Sequence, residues 1–226
     1  MKQFNKIILN VPHSSIEGWN KGWNDPIGLY PYVKDLTDWY TDLLFDDKLC
    51  VMVRFPYSRF YCDAERLWND PMEKIGQGIY YTSYANDLFK RDDSFKDDAY
   101  CLWRKHQDKL LAEINGDDCL IVDCHSFPKH IDYDVDICIG FNDDWSKPDD
   151  EVINFIRNTF ENEGYRVGIN KPYSNSITPR SVYDYKSIMI EVNKNMYMHE
   201  DMLDIRSVGF NTINSLLHNI YKQLLK

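Results

Sequence analysis

The stretch Ile121-Val122-Asp123-Cys124-His125-Ser126, preceded by Cys119-Leu120, decides the fold class of this 226-residue chain. An apolar run from Cys119 to Val122 ends in an acid and a histidine, followed by a small polar residue. This is the pattern of a buried strand whose carboxyl end delivers a metal ligand or a catalytic base into a cleft, and open α/β sheets build their sites at that end of their strands. A second segment repeats the layout. Lys6-Ile7-Ile8-Leu9-Asn10-Val11 is a short apolar strand, and Pro12-His13-Ser14-Ser15 follows at once. One such histidine alone reads as a hydrogen-bonded loop residue; two strand-end histidines, each followed by serine, point to a metal site.

Around these strands the pattern alternates. A long turn rich in Gly, Asn and Trp is expected from Glu17 to Pro31, then a helix over Asp35 to Phe45, where Leu36, Trp39, Tyr40, Leu43 and Leu44 fall at helical spacing. Cys50 to Arg54 alternates like a strand. Asp97 to Ile114 carries the longest helical stripe, through Leu102, Trp103, His106, Leu110, Leu111 and Ile114. Strands are expected at Val135 to Ile139, Tyr165 to Ile169 and Ser187 to Val192. Helices are expected from Asp149 to Glu163, stopping at Gly164, and from Val208 to Leu225. Strands that alternate with helices, several of them apolar throughout, predict an α/β fold with a mixed, mostly parallel sheet covered on both faces. No linker divides the chain, so residues 1–226 are expected to form one domain.

Composition narrows the function. The formal net charge is -10, which argues against a nucleic-acid partner, since that requires a basic footprint. A small anionic substrate held by a few local arginines is compatible with it. The hydrophobic share of 43% fills a core, and sixteen Tyr and six Trp supply core packing and cleft walls alike. The six cysteines show no Cys-x-x-Cys spacing and several lie in apolar runs, so they are expected to be reduced and the protein cytoplasmic. The start of the chain lacks the apolar length of a signal peptide, and no stretch is long enough to span a membrane.

Two further segments carry chemistry. Ser58-Arg59-Phe60-Tyr61-Cys62-Asp63-Ala64-Glu65-Arg66 holds two arginines with acids between them. A guanidinium fork matches a planar carboxylate, although the same segment in isolation reads as a surface salt-bridge cluster. Glu191 interrupts the apolar strand Ile188-Met189-Ile190-Glu191-Val192-Asn193. A carboxylate there is costly unless it is paired or lies near a metal, so it is either a structural ion pair or a general base.

Taken together, these residues resemble the N-formylglutamate amidohydrolase family. The resemblance rests on Asn10-Val11-Pro12-His13-Ser14-Ser15, on Thr37-Asp38-Trp39-Tyr40-Thr41-Asp42-Leu43-Leu44-Phe45, and on Ser58-Arg59 with Asp63-x-Glu65-Arg66. It continues through Asp123-Cys124-His125-Ser126, Asp136-Ile137-Cys138-Ile139-Gly140, Asn170-Lys171-Pro172-Tyr173-Ser174 and Glu191-Val192-Asn193-Lys194-Asn195-Met196-Tyr197-Met198. These pieces run in the family's order from residue 10 to residue 198. The family is similar to zinc carboxypeptidases and aspartoacylases. The resemblance therefore implies a three-layer α/β/α fold of the zinc-exopeptidase type (phosphorylase/hydrolase-like) and one catalytic zinc ion.

It also implies roles. His13 and His125 match the zinc-binding histidines, Glu191 the general base, and Arg66 the arginine that holds the substrate's carboxylate, with Arg59 assisting. Asp63, Asn170 and Tyr173 complete the expected substrate pocket. The relatives' third ligand is a glutamate three residues after the first histidine, where this chain has Ile16. Asp38 is the choice for that ligand, with Asp63 and Glu17 as rivals. Glu65 stands where the family usually has asparagine, and Lys194 replaces an arginine after Glu-x-Asn. His106 either lines the pocket or is a hydrogen-bonded core residue, whereas His130 and His199 are expected in solvated loops.

The implied activity is zinc-dependent hydrolysis of the amide bond, a non-peptide C–N bond, of an N-acyl amino acid such as N-formylglutamate. Alternatives are a zinc peptidase or cell-wall amidase, with a groove built from the loops 17–31 and 67–86, and a non-catalytic binding protein that kept the fold.

Overall fold

The computed structural model describes residues 1–226 except Asp117, Tyr133 and Met202. Six strands form the central sheet: β1 (Lys6–Val11), β2 (Val51–Arg54), β3 (Cys119–Phe127), β4 (Ile137–Gly140), β5 (Val167–Ile169) and β6 (Tyr185–Asn193). Their order across the sheet is β2-β1-β3-β6-β4-β5. The first four are mutually parallel, β4 meets β6 antiparallel, and β5 runs parallel to β4. The expected mixed, mostly parallel sheet is therefore present.

Strand alternation places helices on both faces. Ile7, Leu9, Leu120, Val122, Ile188 and Ile190 share one core with residues of α4 (Asp150–Glu161) and α5 (Ser207–Leu224). Ile8, Cys119 and Ile121 point the other way and pack with Leu110 of α3 (Lys96–Glu113) and with Ile114. The result is three layers, α/β/α. α4 closes through Gly164 at φ +87, a left-handed position that glycine takes without strain. Among the described residues no helix is long and apolar enough to cross a membrane.

Two expectations are corrected. The helix foreseen over residues 35–45 is instead α1 (Pro26–Leu36) followed by the short α2 (Thr41–Leu44). α1 starts inside the expected turn because Asp25 caps it, accepting from Gly28 N at 3.0 Å, and Pro26 fills the first helical turn. It stops at Thr37, and Tyr40 adopts φ +63. The break is held from outside: Asp38 N donates to His13 O at 3.0 Å, and the Thr41 hydroxyl donates to Asp38 O at 2.8 Å. Asp38 therefore sits in a bend over the sheet rather than at a helix start. The second correction concerns β3, which does not end at Val122 but continues to Phe127, all nine residues buried. Its polar residues stay in the strand because they find partners there, and the pairing with β6 runs from Cys119↔Tyr185 to Phe127↔Asn193.

The central strands are the stability core. Ile190 of β6 has no solvent exposure. Ile190→Ala is expected to lower the unfolding free energy by about 3 kcal/mol through lost burial and a cavity, and Val208→Ala, at an 81% exposed position, by less than about 0.5 kcal/mol. Urea titration of both variants checks the pair.

Candidate active site

β1, β3 and β6 are adjacent and parallel, so their carboxyl ends open on one side of the sheet. His13 follows β1, His125 lies near the end of β3, and Glu191 is its register partner on β6. Above them is a cavity of about 310 Å³ lined in part by Asp38, Arg59, Glu65, Arg66, His125, Tyr173 and Glu191.

Buried carboxylates hold both imidazoles. His13 Nε2 lies 2.8 Å from Asp63 Oδ1. A carboxylate only accepts, so Nε2 carries the proton in this bond and leaves the lone pair of a neutral ring on Nδ1. That Nδ1 is buried without a hydrogen-bond partner, 3.7 Å from Asp38 Oδ2 and 3.8 Å from Glu65 Oε2. His125 faces Asp38 Oδ2 through Nδ1 at 3.0 Å, and Asp123 Oδ1 (3.2 Å) and Glu65 Oε1 (3.4 Å) through Nε2. His13, Glu65 and His125 can each present one ligand atom within 4.8 Å of the others.

Asp63 is the most heavily used acceptor. Besides His13 it takes the Tyr81 hydroxyl at 2.8 Å and Glu65 N at 3.2 Å, and it pairs with Arg59 Nη2 (3.3 Å) and Arg66 Nε (3.4 Å). Burial works to raise its pKa, but Arg59, His13 and Arg66 reverse this and hold the carboxyl well below the usual range. The same contest lowers Asp38, where burial is opposed by hydrogen bonds from His125 and His13. Burial alone would push His125 down; Glu65, Asp123 and Asp38 outweigh it and raise that imidazole well above its ordinary value. Glu191 has no comparable support. Its Oε2 is buried and unpartnered, and burial pushes the carboxyl up to about 8.

A second layer lies beneath. Asp123 accepts from Asn10 Nδ2 at 2.7 Å and from Ile177 N at 3.0 Å. Asn10 Oδ1 in turn accepts from His106 Nε2 at 2.9 Å. His106 therefore belongs to the core and supports Asp123, at one remove from the cavity.

Of the residues expected at the site, Asp38, Arg59, Arg66, His125, Tyr173 and Glu191 line the cavity, and His13 and Asp63 lie buried directly under it. Asn170 does not join them: it is exposed, and its side-chain carbonyl accepts from Phe141 N at 2.9 Å, which ties it to the end of β4. Glu17 is absent from the cavity wall. His130 and His199 are exposed, as their loop positions implied. Sequence reasoning passed over Asn10 and Tyr81, whose partners lie far along the chain. Of the loops 17–31 and 67–86, the second sends Gln77, Tyr81 and Tyr84 to the cavity wall. Trp23, Leu29 and Tyr81 pack with Val33, Phe60 and Phe89 in a small core of their own.

Strand-end histidines, buried acids and paired arginines over an α/β/α sheet are the equipment of a hydrolase. The family model described as N-formylglutamate amidohydrolase matches residues 6–198, and the chain belongs to that family. Among solved structures it resembles an N-formylglutamate amidohydrolase from Ralstonia eutropha JMP134, with a TM-score of 0.69, 15% identity, and coverage of 99% of this chain and 94% of that one. It also resembles a gene product from Agrobacterium tumefaciens, with a TM-score of 0.61, 13% identity, and coverage of 97% and 92%. At such identities both likenesses show the fold. No curated protein matches the sequence.

The buried His106 yields a stability test. Burial lowers its pKa from 6.5 to about 4. The folded state thus binds fewer protons than the unfolded one between these values, and stability present above pH 6.5 is lost as pH falls towards 4. The full share is on the order of 3 kcal/mol. His106→Gln, which keeps a donor for Asn10 but cannot ionise, is expected to flatten the unfolding free energy against pH in this window. An unchanged slope would remove His106 from the acid limb.

Proposed function

We propose that this protein hydrolyses the amide bond of an N-acyl amino acid, N-formylglutamate or a similar compound, with a divalent cation, zinc, held by His13, His125 and Asp38. The observation that carries this reading is the pairing of ring nitrogens. Asp38 Oδ2 lies 3.0 Å and 3.7 Å from the Nδ1 atoms of His125 and His13. A cation held at both Nδ1 atoms would leave His13 Nε2–H on Asp63 and His125 Nε2, which has no hydrogen-bond partner, 3.2 Å from Asp123 Oδ1. Glu65 is the rival third carboxylate. Its Oε1 and Oε2 lie 3.4 Å and 3.8 Å from His125 Nε2 and His13 Nδ1, the two ring nitrogens without a hydrogen-bond partner, and a cation held there would leave His125 Nδ1–H on Asp38.

The charge balance fits such an ion. Five carboxyl groups, from Asp38, Asp63, Glu65, Asp123 and Glu191, crowd the histidines against the two guanidinium groups of Arg59 and Arg66. The buried Lys194 turns its Nζ to Asp35 O instead. Two imidazoles and a carboxylate suit zinc and leave it an open position. When bound, it supplies Lewis acidity, polarising the substrate carbonyl and making water a better nucleophile near neutral pH.

The chain's own groups do the rest. Arg66, assisted by Arg59, holds the substrate's carboxylate and sets the scissile carbonyl over the histidines. Tyr173 closes the wall beside Glu191. Glu191 takes a proton from the attacking water, and the C–N bond breaks as Glu191 returns that proton to the leaving nitrogen. A carboxyl pushed up towards the working pH is suited to both transfers. A cavity of about 310 Å³ favours a small acyl amino acid over a peptide or cell-wall strand. The sheet serves one site, so residues 1–226 are read as one catalytic domain. Cys50, Cys62, Cys101, Cys124 and Cys138 are free thiols, in keeping with a cytoplasmic enzyme.

Elemental analysis of protein purified without chelator or metal-affinity resin is expected to find about one zinc per chain, lost in Asp38→Ala and retained in Glu65→Gln. The reverse pattern would transfer the third position to Glu65. No metal in any form, and none taken up, would leave a binding protein. Glu191→Gln is expected to keep the metal and to lose about 10²–10⁴-fold in kcat, whereas Arg66→Ala should chiefly raise KM. Normal turnover by Glu191→Gln would place the base elsewhere.

A further inference from the structure

We infer that Glu65 makes this pocket selective for amide substrates that carry a single carboxylate, and turns it away from diacids such as N-formylglutamate. The inference rests on the hydrolase reading above and narrows its substrate class from N-formylglutamate and its analogues to the analogues that carry one carboxylate. Arg59 and Arg66 are the guanidinium groups among the cavity-lining residues, beside the His125 imidazole. Their charges are not equally available. Both approach the fully buried Asp63, Arg59 through Nη2 at 3.3 Å and Arg66 through Nε at 3.4 Å. Arg59 meets a second carboxylate as well, because the same Nη2 lies 3.7 Å from Glu65 Oε2. Arg66 forms no ion pair with Glu65 or any described acid other than Asp63.

The pocket thus holds two guanidinium groups balanced by two resident carboxylates, with Asp35, Asp38 and Glu191 also on its wall. A substrate α-carboxylate docks on Arg66. A second, side-chain carboxylate finds Arg59 already engaged and meets Glu65 at close range, where like charges repel. An asparagine at this position would leave Arg59 for the second carboxylate; the glutamate side chain at residue 65 removes that option. A neutral or hydrogen-bonding side chain meets no such conflict, and the Tyr81 and Tyr84 rings on the same wall offer it an amphipathic surface.

The test compares zinc-loaded wild type and Glu65→Gln on N-formyl-L-glutamate and N-formyl-L-methionine, with calorimetric binding of glutarate and butyrate as a readout independent of turnover. Wild type is expected to favour the methionine derivative in kcat/KM. The variant should raise the glutamate-to-methionine ratio by about tenfold or more, mostly through KM, at unchanged metal content. In calorimetry, glutarate should gain affinity in the variant by a similar factor while butyrate shifts little. A wild type that prefers N-formylglutamate, a variant that cannot hold zinc, or a ratio that stays within about threefold in the variant overturns the assignment. If neither compound is hydrolysed, the amidohydrolase reading fails, and the calorimetry still decides the charge argument: equal glutarate affinity in both proteins refutes it, and a selective gain upholds it.

Discussion

Three carboxylates with almost no access to water, Asp38, Asp63 and Asp123, impose the arrangement on which the rest of the site depends. An ionised carboxylate cannot stay buried without donors or cations around it. Each of these three meets that demand partly from the main chain or a small polar side chain: Glu65 N on Asp63, Ile177 N on Asp123, the Ser126 hydroxyl on Asp38. Those contacts tie the acids to the backbone, so the remaining lone pairs have set directions. The histidines and arginines then occupy the positions that complete the shells. Removing Asp63 would free His13, the Tyr81 hydroxyl and both arginines together, which makes the site a connected unit rather than a set of independent residues.

The same demand explains which parts of this architecture could be read in the sequence. The strands were legible because a covered parallel sheet requires apolar runs, and Ile7 to Leu9, Cys119 to Val122 and Ile188 to Ile190 supply them. The ends of those strands were not. Asp123, His125 and Ser126 look like a loop to any reading based on local polarity, yet they remain in β3 because Asn10, Ile177, Asp38 and the β6 ladder satisfy them. The first helix was misplaced for a related reason. Helical spacing carries on past Leu36 to Leu44, but the His13 carbonyl captures Asp38 N and breaks the helix between them. No local pattern contains that contact.

At the site the division follows chemistry. His13, His125 and Glu191 stood out because ionisable groups in apolar strands are costly, and the cost marks them. The family resemblance added Asp38, Arg59, Arg66 and Tyr173, all of which reach the cavity. Asn170 was carried by its motif alone and proves to serve the β4 terminus. Tyr81 and Asn10 carried no signal of their own. A tyrosine among sixteen, or an asparagine inside a strand, becomes meaningful only when its partner is known, and those partners, Asp63 and Asp123, are separated from them by 18 and 113 residues.

Glu191 shows why such a site tolerates an unfavourable residue. It lies opposite His125 in the β3–β6 pair, and that pairing extends over nine residues on each strand. A slip of one residue would turn Glu191 to the other face of the sheet, among the apolar side chains of a core layer, so the hydrophobic register that stabilises the fold also aims the carboxyl at the cavity. On the far side, β4 pairs antiparallel with β6 and sets Cys138 against Glu191 in register. A cysteine offers a carboxylate little solvation. The carboxyl is therefore held in place by strands that do not pair with its charge, and its pKa rises as a direct result. A fully solvated glutamate at this position would cost the fold less, but it would lie too far below neutral pH to return a proton to a leaving amine efficiently. The energetic cost of burying Glu191 and its capacity to act as both base and acid have the same origin.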